Sequence, residues 1–199
     1  MKHPSLTEEQ AADVRAAVET LRKGGVILYP TDTIWGLGCD ARNPEAVRRI
    51  FDIKHRADAK ALITLVDSVA ALERTVAEIP EVGYQLLEAT EDTPTTIIYD
   101  AAAPGALAPE LMAEDGSVGV RVTSEAISAA ICRGLRGPLV STSANISGQK
   151  APSCFAEIDP EIIRAADYVC TSRRHEAPGS AKPSAILKLG AGGTIKIIR

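Results

Sequence analysis

The sequence has few aromatic residues, no excess of basic charge and no long apolar run. Phe, Trp and Tyr make up 4% of the 199 residues, which leaves little for stacking the bases of nucleic acid. The formal net charge is −4, which argues against a domain that binds nucleic acid mainly through contacts with the phosphate backbone. A local basic pocket is still compatible with this net charge. No apolar run approaches the roughly 20 residues of a membrane helix, and residues 1–10 lack the apolar segment of a signal peptide. We therefore expect a cytoplasmic protein without a membrane partner.

Motifs for metals, phosphate loops and catalytic triads are also missing. The four cysteines form no C-x-x-C pair and have no histidine at metal spacing, so we expect reduced thiols and no metal site. Neither G-x-x-x-x-G-K-[ST] nor a helix-opening G-x-G-x-x-G occurs. No order of Ser, His and Asp or of Cys and His favours a nucleophilic triad.

What is present favours one α/β domain over residues 1–199. The hydrophobic share of 45% and the charged share of 24% are ordinary for a globular chain. Apolar residues alternate irregularly between helical and strand-like patterns, which indicates a mixed sheet flanked by helices. Helices are predicted to begin near Thr7, Asn43, Asp67 or Ser68, Pro80 and Ser124, and strands to cover 26–29, 61–66, 95–99, 118–122, from 139 onward, 168–169, 185–189 and 194–198.

Three polar segments follow predicted elements. Residues 30–38, P-T-D-T-I-W-G-L-G, come directly after a buried strand, where α/β proteins usually bind ligands. Residues 141–148, S-T-S-A-N-I-S-G, follow another apolar run. Hydroxyls and amides can donate to phosphate or carboxylate oxygens. In both segments the alternative is a turn that satisfies its own backbone.

The third segment carries Lys54 and Arg56, with Lys60 following. These cations could grip a triphosphate. Alternatively, they are cations placed favourably at a helix C-terminus. Lys54 continues the apolar face of its predicted helix, and an inward lysine needs a partner.

Together these segments resemble the YrdC-like threonylcarbamoyl-adenylate synthases. Residues 30–38 resemble P-T-[DE]-T-x-Y-G-L-G, Lys54 and Arg56 resemble the K-x-R element, and residues 143–148 resemble SAN-[IL]-SG. Residues 183–186, P-S-A-I, resemble P-S-T-I before a last strand ending in Arg199. Trp35 replaces the usual Tyr, Lys60 stands where many members have Asn, and both prolines that often follow K-x-R are absent. The resemblance covers nearly the whole chain and fits the short, single-domain form.

The resemblance implies a twisted mixed α/β sheet with a large concave, cationic cavity. It implies that the chain forms threonylcarbamoyl-AMP and pyrophosphate from L-threonine, bicarbonate and ATP, with Mg²⁺ on the phosphates, for the threonylcarbamoyladenosine modification of tRNA. Proteins that transfer the threonylcarbamoyl group would act downstream. The threonine contacts it implies are Thr33, Arg121, Ser143 and Ser184. The ATP contacts it implies are Lys54, Arg56, Ser117, Asn145, Ser153 and Arg199.

Two other functions are compatible with the same residues. The first is a module that binds double-stranded RNA or tRNA without catalysis. The second is a different carbamoyl transferase, although related enzymes of that kind need further domains to make carbamoyl phosphate. In the proposed reaction positioning and charge neutralisation matter more than a side-chain nucleophile, which is consistent with the missing triad.

Overall fold

The computed structural model describes residues 5–55, 62–177, 184–190 and 193–199. Within these ranges the α-helices are α1 Glu8–Arg22, α2 Pro44–Ile53, α3 Val69–Thr75, α4 Glu81–Ala89, α5 Ala126–Leu135 and α6 Pro160–Ala165. The strands are β1 Ile27–Tyr29, β2 Gly36–Gly38, β3 Ile63–Val66, β4 Thr95–Tyr99, β5 Val118–Val122, β6 Leu139–Ser143, β7 Tyr168–Val169, β8 Ala185–Leu189 and β9 Ile195–Ile197. Short 3-10 helices cover Pro109–Leu111 and Phe155–Glu157.

The helix starts follow from side chains that cap free backbone N–H groups. Thr7 and Gln10 form the predicted capping box, in which each side chain accepts from the other residue's backbone N–H. Asn43 accepts from the first N–H groups of α2, as predicted. The prediction that Ser124 caps α5 is wrong. Glu125 is the cap, because its carboxylate accepts from the N–H groups of Ile127 and Ser128 and places negative charge at the positive end of the helix.

The described strands form one mixed sheet in the order β7-β1-β2-β6-β3-β5-β4-β8-β9. The pairs β1–β7, β3–β5 and β4–β8 are parallel, and the other neighbouring pairs are antiparallel. Helix α1 packs against α5, while α5 and α3 pack against β3. The predicted mixed sheet flanked by helices is therefore confirmed.

Besides the short 3-10 helices, two of the described elements, β2 and α6, were not predicted from the sequence. Strand β2 lies inside the segment for which a tight loop was the structural alternative, and it pairs with β1 on one side and β6 on the other. Its glycines permit this close approach, because a Cβ on Gly38 would lie 2.8 Å from the carbonyl oxygen of Val140. Helix α6 begins at Pro160 behind the cap Asp159, a short element with an ordinary start signal.

The core consists mainly of Ala, Val, Ile and Leu, as expected from the low aromatic content. All four cysteines are free. Burial raises the pKa of the Cys39, Cys132 and Cys170 thiols well above the ordinary range, which keeps them protonated and unreactive.

Candidate functional site

One face of the sheet carries several of the predicted site residues. Arg121 of β5 lies opposite Leu65 of β3, and Leu65 lies opposite Leu139, the first residue of β6. Paired residues share a face and side chains alternate along a strand, so Ser143 and Ser117 lie on the same face as Arg121. We call this surface the Arg121 face.

A cavity of about 520 Å³ lies over the Arg121 face. The residues of the strands that line the cavity all point to this face, because they occupy every second position of their strands. They are Ile63, Thr96, Ile98, Gly119 and Ile186. Ser117 also lines it. The volume falls within the range of about 300–1,000 Å³ that is typical of small-molecule sites, so the cavity is large enough for a nucleotide.

The described lining of this cavity contains Glu114 and Asp115 and neither Lys nor Arg. Its predicted cationic character therefore stays a prediction, since Arg56 and Lys60 lie outside the described residues. Asp115 accepts hydrogen bonds from Lys188 at 2.7 Å and from the Ser117 hydroxyl at 2.6 Å. These hydrogen bonds hold the pKa of Asp115 well below its ordinary value, and the bond from Lys188 has the largest effect.

Arg121 is buried beside the loop between β1 and β2. Its side chain is 3% exposed, and its Nη2 lies 3.0 Å from Oδ1 of Asp32. The Nε of Arg121 is buried and has no hydrogen-bond partner within the described chain. A buried guanidinium N–H without an acceptor is costly, so the group is suited to a carboxylate that arrives with a ligand.

Thr31 and Thr33 have different roles in that loop. The Thr31 hydroxyl donates to the carbonyl of Ile34 at 2.6 Å and accepts from the backbone N–H groups of Thr33 and Ile34. Thr31 therefore builds the turn, which is the alternative that the sequence left open. Thr33 lines a small cavity of about 80 Å³ together with Ser153, so these two predicted residues lie together.

Lys54 holds the loop that follows β6. Its ammonium donates to the backbone carbonyls of Ser143 at 2.5 Å and Asn145 at 2.7 Å, and to Oδ1 of Asn145 at 3.4 Å. The amide of Asn145 also donates to the carbonyls of Ile146 and Gln149. The structure thus brings Lys54, Ser143 and Asn145 together, with Lys54 directed inward as its place on the apolar helix face predicts.

Two further predicted residues, Ser184 and Arg199, lie at the β4–β8 side of the sheet. The Ser184 hydroxyl lies 3.2 Å from that of Thr96, which lines the large cavity. Arg199 donates from Nε and Nη2 to the backbone carbonyl of Ser184. Arg56 falls outside the described residues.

The loop between β1 and β2 and the loop after β6 are linked by the backbone pairing of β2 with β6. Gly36 of β2 lies opposite Ser143 of β6, and the N–H of Ala144 donates to the carbonyl of Trp35 at 3.0 Å. The loop carrying Asp32 and Thr33 therefore runs beside the loop that Lys54 holds.

Sequence reasoning missed two contributors to this arrangement, Asp32 as the partner of Arg121 and Phe155 as the partner of Trp35. The rings of Trp35 and Phe155 lie 4.9 Å apart, and the guanidinium of Arg174 lies 4.9 Å from the Phe155 ring. The rule that a buried arginine needs an acceptor calls for an acidic partner for Arg121, but it does not single out Asp32. Nothing in the sequence signals the contact with Phe155.

Neither a membrane span nor a ready-made metal cage is present in the part of the chain that the structure describes. No helix there has the length and apolar character to cross a bilayer. No three His, Cys, Asp or Glu side chains converge there in a way that could hold a metal ion.

These features define an α/β protein with a mixed sheet, one face of which combines a buried arginine, a polar loop and a nucleotide-sized cavity. The chain belongs to the Sua5/YciO/YrdC family, whose family model, described as telomere recombination, matches residues 19–199. It is 34% identical over 183 residues to the threonylcarbamoyl-AMP synthase of Stenotrophomonas maltophilia strain K279a, which covers 91% of this chain and 96% of that relative.

Solved structures show the same fold. E. coli YciO superimposes with a TM-score of 0.80 at 26% identity, covering 99% of this chain and 92% of that one. P. abyssi Sua5 complexed with L-threonine superimposes with a TM-score of 0.82 at 24% identity, covering 98% of this chain and 55% of that one. At 24% identity the likeness to Sua5 shows the fold alone.

Proposed function

We propose that this protein is a cytoplasmic nucleotidyltransferase that forms threonylcarbamoyl-AMP and pyrophosphate from L-threonine, bicarbonate and ATP. Relatives named threonylcarbamoyl-AMP synthase that match most of the chain support it, at 34–35% identity over 183–188 residues. The structural observation that carries the proposal is the Arg121 face. There a buried guanidinium with an unpaired Nε shares one surface with a cavity of about 520 Å³.

The reaction combines a small zwitterion with a nucleotide. Bicarbonate loses hydroxide to give CO₂, the neutral amine of threonine attacks it, and the nitrogen loses a proton to give a carbamate. A carbamate oxygen then attacks the α-phosphorus of ATP, the bond to the bridging oxygen breaks, and pyrophosphate leaves. Positioning and charge neutralisation carry most of such a reaction, so a site without a nucleophilic side chain is suited to it.

The residue roles follow the resemblance and are compatible with the geometry. Arg121 would bind the threonine carboxylate through its unpaired Nε, the group that lacks an acceptor in the described chain. The hydroxyls of Thr33, Ser143 and Ser184 would contact the rest of threonine. The ATP contacts would come from Lys54, Arg56, Ser117, Asn145, Ser153 and Arg199. Lys54 and Asn145 are already bonded to the loop after β6, so we infer that they act mainly by fixing its shape.

Mg²⁺ would enter with ATP and neutralise charge on the phosphates. We propose that phosphate oxygens and water would supply most of its ligands, as is usual for Mg²⁺ in nucleotide sites. We also propose that the product passes to threonylcarbamoyl-transfer proteins that modify tRNA.

One experiment tests the proposed reaction directly. The purified protein is incubated with threonine, ¹³C-bicarbonate and ATP, and the products are analysed by mass spectrometry. We expect a threonylcarbamoyl-AMP adduct one mass unit heavier than with ordinary bicarbonate, formed together with pyrophosphate. Activity with carbamoyl phosphate in place of bicarbonate and ATP would indicate a different carbamoyl transferase instead. RNA binding without any ATP consumption would indicate a non-catalytic module.

A further inference from the structure

Four arginine side chains line a second cleft, of about 530 Å³, that shares no residue with the proposed substrate site. The cleft lies where α3, the end of α5 and the turn before β6 meet, and its charged residues are Arg42, Asp67, Arg74, Arg133 and Arg136. Pro138 in its wall precedes β6, whereas Ser143 ends that strand. At about 3.3 Å per residue the two places lie roughly 16 Å apart along the strand.

Arg42 is held in a fixed orientation across this cleft. Its Nε and Nη2 donate to the two carboxylate oxygens of Asp40 at 2.9 and 2.7 Å, and its Nη1 donates to the carbonyl of Arg136 at 3.4 Å. The guanidinium packs against Gly137, where an added Cβ would lie 2.5 Å from Cζ of Arg42. Any side chain at position 137 would therefore displace Arg42.

The other three arginines are exposed and form no ion pair within the described ranges. Asp67 is the one acidic residue among the described lining, and Asp40 pairs with Arg42, so four arginines and two carboxylates give the cleft a net charge of +2. The whole chain carries −4. Arg136 has φ 55°, in the left-handed region that favours glycine. An arginine at this position has a less favourable backbone conformation than glycine would have, and it adds a positive charge to the cleft.

The chemistry of the lining favours phosphate over other anions. Its cations are all arginines, and the planar guanidinium forks bind phosphate oxygens in pairs. A cleft of about 530 Å³ has the size of a small-molecule site. We propose that it binds the phosphate groups of a nucleotide-sized ligand, either as a free oligophosphate or as part of an RNA backbone. The proposal does not depend on the proposed enzymatic function.

The test compares charge reversal inside and outside the cleft. The cleft variant is Arg74→Glu with Arg133→Glu, and the control is Arg15→Glu with Arg164→Glu, two exposed arginines on other helices. Both variants change the net charge equally. Inorganic tripolyphosphate is titrated by calorimetry and a labelled RNA duplex by fluorescence anisotropy. If circular dichroism shows that the Arg74→Glu, Arg133→Glu variant is misfolded, the neutral variant Arg74→Gln with Arg133→Gln is used in its place.

We expect the cleft variant to weaken binding of at least one probe by about tenfold or more and the control by about threefold or less. Loss with tripolyphosphate alone assigns the site to a free ligand. Loss with RNA assigns the site to RNA, provided that the slope of log affinity against log salt concentration also falls by the amount expected for about two phosphate contacts. Pyrophosphate release with threonine and ATP stays unchanged. Equal losses in both variants, or no binding of either probe to the wild type, would overturn the proposal.

Discussion

Asp32 and Arg121 form an ion pair in which Oδ1 lies 3.0 Å from Nη2, on the buried side of the loop between β1 and β2. Asp32 is partly exposed, whereas Arg121 is almost completely buried. The carboxylate thus occupies one end of the guanidinium and leaves Nε without a partner in the described chain. This geometry makes Asp32 a positioning residue, because it fixes the fork that we propose for the threonine carboxylate.

Replacing Asp32 should therefore impair threonine binding more than turnover. We expect Asp32→Asn to raise the threonine KM by about 10- to 100-fold, since the buried guanidinium loses its charge partner and its fixed orientation. The change in kcat should be smaller. The measurement is pyrophosphate release over a range of threonine concentrations. Asp92→Asn, which neutralises an exposed carboxylate in a turn, serves as the control. An unchanged threonine KM in Asp32→Asn would refute the positioning role.

Lys54 should contribute to the stability of the fold as well as to the site. Its side chain is 2% exposed, and its ammonium donates to the carbonyls of Ser143 and Asn145. Lys54→Met keeps the volume but leaves those carbonyls without this donor, which should lower the free energy of unfolding by about 2–4 kcal/mol. Urea denaturation measures this loss, with the exposed Lys150→Met as the matched control. Equal stabilities of the two variants would contradict the role of Lys54 in holding the loop.

Asp13 should make the protein sensitive to acid. Its carboxylate accepts hydrogen bonds from the hydroxyls of Tyr168 and Ser172 and from the backbone N–H groups of Thr171 and Ser172. Burial alone would raise the pKa of Asp13, but these hydrogen bonds, led by that of the Ser172 hydroxyl, lower it below the ordinary value. The carboxylate therefore ties α1 to the segment after β7.

The sign of the pH effect follows from that lowered pKa. A folded-state pKa below the unfolded value of about 3.9 gives stability that is complete above pH 5 and declines as the pH falls through the folded value. We expect Asp13→Asn to reduce stability at pH 7 by about 1–3 kcal/mol and to flatten the decline between about pH 5 and pH 2. Thermal unfolding across this range measures both effects. A variant with the acid sensitivity of the wild type would disprove the assignment.

The sequence was sufficient where a pattern is local. The capping box at Thr7, the cap at Asn43 and the inward direction of Lys54 each depend on side chains within a few residues, and the structure confirms them. It was insufficient for β2, because Gly36 and Gly38 have low strand propensity and are placed there by neighbouring strands. The Asp32–Arg121 pair joins residues far apart in the chain, so it depends on a strand order that no local pattern specifies.

Gly38 offers a test of why the polar segment before α2 ends in glycines. In β2 its missing side chain lets β1 and β6 approach, and an added Cβ would lie 2.8 Å from the carbonyl oxygen of Val140 and 2.9 Å from Cε1 of Tyr29. Neither group can move easily, since one is backbone and the other is a buried ring. Gly38→Ala should therefore lower the free energy of unfolding by about 2–4 kcal/mol.

Gly119→Ala is the matched control for this substitution. Gly119 also lies in a strand, but its added Cβ would come no closer than 3.4 Å to a neighbour, the methyl group of Thr96, which is an ordinary contact. Its cost should stay below about 1 kcal/mol. Urea denaturation of both variants gives the comparison. If Gly38→Ala is as stable as Gly119→Ala, then the close approach of β6 does not require a glycine at this position, and the glycines of the segment need another explanation.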